Sequence, residues 1–141
     1  MSKKIHKLKQ TESYDFGLVA ISSPENDYRI SWVLNNSFGY NLIRQEDLKV
    51  FHERLEDLQE FSQFLYFDEE TLLLYRLISN KCENGYLLEE INKIDYVLQI
   101  SGEMDESFLD GLVKDLNSME DITLAIKIDP ANLKSKKKLL L

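Results

Sequence analysis

The sequence predicts an α+β protein, in which a mostly antiparallel sheet of about six strands carries two principal helices on one face. Apolar residues recur with a period of two in several segments, as in strands, while two other segments space them as helix faces do. The apolar segments 61–67 and 71–79 are joined by only three acidic residues, so they are expected to form an antiparallel hairpin. Because both segments are apolar on both faces, this hairpin should lie centrally and be covered on both sides, or present one face to another subunit.

Two segments have the spacing and the end signals of helices. The first helix is predicted over about residues 24–37, with Ser23 as its N-cap and with Gly39 ending it in the left-handed conformation that glycine adopts easily. The second helix is predicted over about 106–118, beginning at one of the two acids at 105–106. The inward-facing stripe of the first helix is predicted to be Ile30, Val33, Leu34 and Ser37.

The remaining strands are less sharply marked than the hairpin. They are predicted at residues 14–22, 41–51, 94–101 and 121–128, with a short edge strand at 3–10. A helix remains an alternative for 14–22, and the polar residues 45–47 predict a bulge or a break. Residues 52–60 are expected to be loop or a short surface helix. In the last strand, the inward-facing residues are predicted to be Ile122, Leu124, Ile126 and Ile128.

The chain is expected to form a single domain, 1–141, with flexible basic ends at about 1–10 and 131–141. Each end carries four lysines, so the segment 10–133 has nine basic and 25 acidic residues and a net charge of −16. Such an acidic body repels phosphate groups. Nucleic-acid binding is therefore expected only through the lysine-rich ends.

The single cysteine, Cys82, excludes an intramolecular disulfide and indicates a reducing compartment, so a cytoplasmic location is expected. The basic start of the chain is not followed by the apolar stretch of a secretory signal. No apolar run approaches the ~20 residues that a membrane-spanning helix needs, so no membrane association is expected.

Catalytic signatures are missing from the sequence, which has no GxxxxGK, no GxGxxG after a strand, no GxSxG and no HExxH. A catalytic histidine would have to be His52, which is predicted to be solvated surface, and Cys82 is predicted to be an ordinary loop residue. Phe64 and Tyr66 could stack on nucleic-acid bases, but they lack basic neighbours and are predicted to pack in the core. No catalytic residue, cofactor or metal is expected, and enzymatic activity is disfavoured.

The segment 88–100, LEEINKIDYVLQI, places an acid inside a strand. One face of this strand is predicted to carry Ile94, Tyr96, Leu98 and Ile100, and the other Asp95, Val97 and Gln99. Because a buried acid needs partners, Glu90 or Asp95 is expected to accept hydrogen bonds from backbone N–H groups or from an arginine. The candidate arginines are Arg29, Arg44 and Arg76. Tyr96 is expected to pack its ring in the core with its hydroxyl at the rim.

LEEINKIDY resembles the signature of the IPExxxVDY family, small bacterial proteins named for that motif. Glu90 matches the family's Glu, Ile94 its Val, and Asp95 and Tyr96 its Asp-Tyr, whereas Glu89 stands where the family has Pro. The segments NDYRISWVLN and LKSKKKLLL also look like family features. The family has no established function, so the resemblance supports a fold assignment and supplies no catalytic residue.

These observations favour a non-enzymatic protein-interaction or self-associating module, with a protein partner or a second copy in a homodimer as its ligand. The alternative is a divalent-cation or small-molecule site that uses the carboxylates around Glu90 and Asp95. For the C-terminal LKSKKKLLL, docking onto the body and fraying are both left open.

Overall fold

The computed structural model describes residues 16–139, and the strand predicted at 3–10 lies outside them. Its strands are β1 (Phe16–Ser22), β2 (Ile43–His52), β3 (Asp57–Asp68), β4 (Leu73–Ser79), β5 (Lys81–Cys82), β6 (Gly85–Tyr86), β7 (Tyr96–Ser101) and β8 (Leu124–Ile128). The helices are α1 (Asp27–Phe38) and α2 (Glu106–Asn117), with 3₁₀ turns at Glu89–Ile91, Pro130–Asn132 and Lys136–Leu139. None of the described helices is long and apolar enough to cross a membrane.

Six strands form one sheet in the order β2-β3-β4-β7-β1-β8, in which each pair of neighbours is antiparallel. The predicted α+β class is confirmed, and so is the β3–β4 hairpin, in which Tyr66 lies opposite Tyr75. The strand predicted over 14–22 is confirmed for its described residues, Phe16–Ser22, and the helical alternative is wrong there. Because β7 and β8 both pair with β1, they run parallel to each other, and α2 makes the crossover between them.

Both faces of the central strands of the sheet are covered. The face under the two helices forms the larger core, with residues such as Val19, Leu77 and Leu98 packed against Ile30, Leu34, Leu112 and Leu116. On the opposite face, Leu18, Phe61, Ile78 and Val97 pack against Leu87, Leu88, Leu133 and Leu139. The central hairpin strand β4 is therefore buried on both sides, and the chain is docked, not frayed, as far as residue 139.

The start of α1 differs from the prediction. The helix begins at Asp27, because Asn26 is its N-cap and accepts a hydrogen bond from the Arg29 amide at 2.9 Å. The hydroxyl of Ser23 is used elsewhere, since it donates to the carbonyl of Asp121 at 2.6 Å. The predicted ending at Gly39 is confirmed, with φ at 73°. Ile30, Val33 and Leu34 of the predicted inner stripe are buried. Ser37 is exposed, and the buried serine of α1 is Ser31.

The β2–β3 region is partly as predicted. The polar residues 45–47 do form a bulge, seen as a register shift between Gln45 and Leu48. The prediction of loop or helix over 52–60 is wrong for its second half, because β3 already begins at Asp57. The charged residues Asp57 and Glu60 hid the strand, and both are exposed in it.

In β8 the predicted inward facing is wrong for Leu124 and Ile126, whereas Ile122, just before the strand, is buried as predicted. Ala125 is 1% exposed and lies against α2, where the Asn117 side chain bonds both its N–H and its C=O at 2.8 Å. Leu124 and Ile126 lie on the other face and are 45% and 39% exposed. On that face Ile128 packs against the second core, but Leu124 and Ile126 are left uncovered. An edge strand can leave apolar residues in solvent, so the alternation alone does not identify the buried face.

Candidate functional site

The motif segment 88–96 is held by a side chain that the sequence did not single out. Asn80 is fully buried, and its Oδ1 accepts a hydrogen bond from the Leu88 amide at 2.8 Å. Its Nδ2 donates to the carbonyls of Ile91 and Ile94 at 3.1 and 3.0 Å. One asparagine therefore satisfies the backbone on both sides of the 3₁₀ turn and sets the path into β7.

Asp95 links three segments of the chain. One carboxylate oxygen accepts from the Ser23 amide at 2.8 Å, and the other lies 2.9 Å from Lys81 Nζ. The hydrogen bond with Asp95 raises the pKa of Lys81. Of the two kinds of donor that were expected, the backbone N–H is present, and the charged partner is a lysine and none of the three arginines. Arg29 and Arg44 pair with other acids, while Arg76 lies under the C-terminal segment.

Tyr96 lies as predicted. Its ring is 6% exposed within the helix-side core, and its hydroxyl donates to the carbonyl of Glu25 at 2.6 Å. Burial, with the charge of Asp27 nearby, raises the pKa of Tyr96 to about 12, so the hydroxyl stays protonated and keeps donating. Tyr96 thus ties β7 to the loop that begins α1.

Glu90 anchors the C-terminal segment. Its carboxylate accepts hydrogen bonds from the amides of Lys134 and Ser135 and, at 2.6 Å, from the Ser135 hydroxyl. Partial burial acts to raise the pKa of Glu90, but the hydrogen bonds from Ser135 and Lys134 outweigh it and hold that pKa below its usual value. Glu90 therefore acts as a latch on residues 133–139, which cover the second face of the sheet.

Replacing Glu90 by glutamine should lower the free energy of unfolding by about 1 kcal/mol at neutral pH, since charge-assisted hydrogen bonds are lost. The folded pKa lies below the unfolded one, so this stabilisation is complete above the ordinary glutamate pKa of about 4.3 and is lost as the pH falls through the lower folded value. Urea titrations at several pH values should show that the unfolding free energies of the wild type and the variant become equal at acidic pH. A matched Glu120→Gln variant should show no such convergence, and a pH-independent difference for Glu90→Gln would contradict the latch.

The three motif residues thus have structural partners inside the protein. Glu90 and Asp95 are each engaged by donors from different segments. Among residues 16–139, no group of three or more His, Cys, Asp or Glu side chains is arranged to hold a metal ion. The cation-binding alternative at Glu90 and Asp95 has no observation that favours it and stays a prediction.

His52 is more enclosed than a solvated surface residue, with its side chain 14% exposed. Its Nε2 lies 2.9 Å from the Glu89 carboxylate, and its Nδ1 accepts from the Leu55 amide at 3.2 Å. Because both ring nitrogens are engaged, His52 has no free lone pair with which to act as a general base. Cys82 is half-buried, and its thiol lies 3.1 Å from the Asn84 side-chain oxygen.

The most distinctive concave surface was not foreseen from the sequence. It is a cleft of about 900 Å³ between the end of α1, the middle of α2 and the β3–β4 hairpin. We call it the tyrosine cleft, because Tyr40, Tyr66 and Tyr75 lie side by side along it. Tyr66 therefore lines a cleft, whereas Phe64 packs in the core as predicted.

The three tyrosines form a compact cluster. The ring centroids of Tyr40 and Tyr75 are 4.3 Å apart, and Tyr66 stacks on Tyr75 at 5.5 Å. Burial, and then the hydrogen-bonded hydroxyl of Tyr75, raise the pKa of Tyr40 far above its ordinary value. Burial likewise raises the pKa of Tyr75. These hydroxyls are kept protonated, so the cluster supplies aromatic faces and hydrogen-bonding groups but no phenolate nucleophile.

Carboxylates surround the tyrosine cleft. The β3–β4 turn contributes Asp68, Glu69 and Glu70, and α2 contributes Asp115. None of the described residues that line the cleft is basic. The turn itself is shaped by Asp68, which accepts a hydrogen bond from the Glu70 amide at 3.0 Å. These four carboxylates form no ion pair with a described residue, and aromatic faces beside such negative charge attract cations.

No protein-family model, curated protein or solved structure matches this chain. The resemblance of the motif segment to the IPExxxVDY family therefore stays a prediction. The candidate site is identified by its geometry alone.

Proposed function

We propose that this protein is a non-enzymatic protein-interaction module whose contact site is the tyrosine cleft, and that the cleft receives a positively charged segment of a partner protein. One observation carries the proposal: the cleft combines three clustered tyrosines with four carboxylates and has no basic residue among its described lining. A lysine or arginine side chain can place its cation near the acids and its apolar stem along the rings. This assignment agrees with the missing catalytic signatures.

The energetics favour a weak, reversible contact. Each cation–π contact at an exposed site contributes about 0.5–1 kcal/mol, and the rim carboxylates act mainly through an attraction that salt screens. Specificity then comes from the positions of the charges on the partner relative to the cleft. A partner segment with several basic residues would combine such contributions.

Neutralising the three acids of the β3–β4 turn should weaken the binding of a fluorescent oligolysine peptide to the tyrosine cleft about tenfold. This corresponds to a loss of roughly 1.4 kcal/mol of electrostatic attraction. The variant is Asp68→Asn with Glu69→Gln and Glu70→Gln, which keeps the side-chain acceptor at Asp68. Fluorescence polarisation at low salt measures the affinity, and raising the salt should reduce the difference between variant and wild type.

The matched control removes the same charge from the opposite end of the sheet, through Glu53→Gln, Glu56→Gln and Glu60→Gln. These three acids are exposed and lie around the β2–β3 turn, away from the tyrosine cleft. An equal loss of peptide affinity in both variants would mean that net charge alone attracts the peptide, and the proposed contact site would be wrong.

A further inference from the structure

We propose that the occupant of the tyrosine cleft is the lysine-rich N-terminal segment of a second copy of this chain; this inference rests on the function proposed above. Residues 1–11 contain four lysines and no acidic residue, whereas the segment 10–133 has a net charge of −16. The lysines are Lys3, Lys4, Lys7 and Lys9. Each copy therefore carries both the acidic receptor and a segment of complementary charge.

The cleft and the start of the described chain lie at the same end of the sheet. Ser101 of β7 pairs with Phe16, the first described residue, on one side and with Leu74, next to the hairpin turn, on the other. Gly102 follows, and a Cβ there would lie 3.0 Å from the carbonyl oxygen of Leu72. The acidic hairpin turn is thus only two strands away from the point at which residues 1–15 join the sheet.

More carboxylates extend this acidic surface beyond the cleft. A second concavity of about 640 Å³ lies beside Phe16 and Gly17 and is lined by three further acids. They are Glu103, Asp105 and Glu106. None of the described residues lining this second concavity is basic either. Glu106 is paired with Lys127, at 2.8 Å, but Glu103 and Asp105 place negative charge beside the approach to the tyrosine cleft.

Exposed apolar side chains at the same end of the sheet favour the segment of a second copy, over the chain's own segment, as the occupant of the tyrosine cleft. Phe67 and Leu72 flank the hairpin turn and are 51% and 66% exposed. Lys9 is seven residues from Phe16, so an extended segment places it at most about 24 Å away. Because this tether is short, exchange brings the two bodies together at the hairpin end, where Phe67 and Leu72 can be covered. Docking of the chain's own segment in the cleft would bring no second body over Leu72, which does not line the cleft.

Reciprocal exchange closes a two-fold symmetric dimer, since each copy gives its segment and receives one. Sedimentation velocity of the full chain should show a concentration-dependent dimer. Changing Lys3, Lys4, Lys7 and Lys9 to glutamine should weaken dimerisation at least tenfold. The matched control, Lys49→Gln, Lys93→Gln, Lys134→Gln and Lys137→Gln, changes four exposed lysines elsewhere and should dimerise as the wild type does.

A mixing experiment tests whether the basic segment of one copy binds the tyrosine cleft of the other. The N-terminal lysine variant keeps its cleft, and the Asp68→Asn, Glu69→Gln, Glu70→Gln variant keeps its basic segment. Each should be largely monomeric alone, and the two mixed together should form a one-to-one complex. Failure to form it would overturn the proposal.

The outcomes also separate this inference from the function on which it rests. A wild type that stays monomeric, or a dimer that the N-terminal lysine variant leaves intact, overturns the inference. If oligolysine still binds the tyrosine cleft in that case, the proposed function stands without self-association. If the lysine variant binds oligolysine more tightly than a monomeric wild type does, the chain's own segment is the occupant, and the second copy is excluded.

Discussion

Replacing Arg76 by alanine is expected to lower the free energy of unfolding by about 3 kcal/mol, because several buried acceptors lose their donor at once. Arg76 is 3% exposed in the middle of the sheet. Its Nε and Nη2 both donate to Gln99 Oε1, at 3.0 and 2.6 Å, and Nη2 also donates to the carbonyl of Leu139 at 3.0 Å. The guanidinium thus joins two strands and holds the C-terminal segment against them.

The partners of Arg76 among the described residues are neutral. No ion pair of Arg76 with a described carboxylate is formed, and burial lowers its pKa to about 10. Desolvating the cation is costly, so the site depends on its hydrogen bonds being complete. Arg76→Lys keeps the charge but offers fewer donors in a different geometry, so its loss should also be substantial.

Urea unfolding of Arg76→Ala, Gln99→Ala and the double variant tests this network. Since the two side chains touch, their effects should be less than additive by about 1–2 kcal/mol. Arg54→Ala, at an exposed position in the β2–β3 turn, should change stability by less than about 0.5 kcal/mol. Additive effects of Arg76→Ala and Gln99→Ala, or a loss in Arg76→Ala no larger than in the control, would contradict the network.

Leu98→Ala should be at least as damaging, with a loss of about 3 kcal/mol, because truncating a fully buried leucine leaves a cavity. Leu98 is 0% exposed in the helix-side core, on a strand with neighbours on both sides. Thermal or urea unfolding measures the loss, and the two-state character of the transition should be preserved.

Leu124→Ala is the matched control, and it also tests the orientation of β8. The alternating pattern predicts that Leu124 faces the core, which would make its truncation cost about 2–5 kcal/mol. In the structure Leu124 is 45% exposed on an edge strand, so the expected cost is below about 0.5 kcal/mol. A large loss in Leu124→Ala would show that the pattern, and not the described orientation, is correct.

The elements that the sequence predicted well are those set by local chemistry. Gly39 ends α1 and Asp105 caps α2, and each forms its hydrogen bond with a residue only three or four positions away. The β3–β4 hairpin follows from two apolar segments joined by a short turn. Alternation predicted the two faces of β7 correctly, because this strand is buried on both sides and its neighbours are strands.

The candidate site was predicted only in part, because its residues meet partners that are distant along the chain. The sequence singled out Glu90, Asp95 and Tyr96, and each does bind a distant segment. Their hydrogen-bond partners lie 44 to 73 residues away, and Lys81 lies 14 residues from Asp95. Spacing along the chain cannot indicate that Lys81 neutralises Asp95 or that Ser135 binds Glu90. The tyrosine cleft was missed because the hairpin and the two helices meet there only after folding.

By itself, then, the sequence determined the α+β class, the central hairpin, the end of α1, the acidic body and the absence of known catalytic motifs, since period, caps and charge are properties of short segments. Only the tertiary structure decided which face of β8 is buried, that residues 133–139 dock on the sheet, and that three tyrosines and four acids share one cleft. These outcomes depend on which surfaces other segments cover, and coverage is a property of the whole fold.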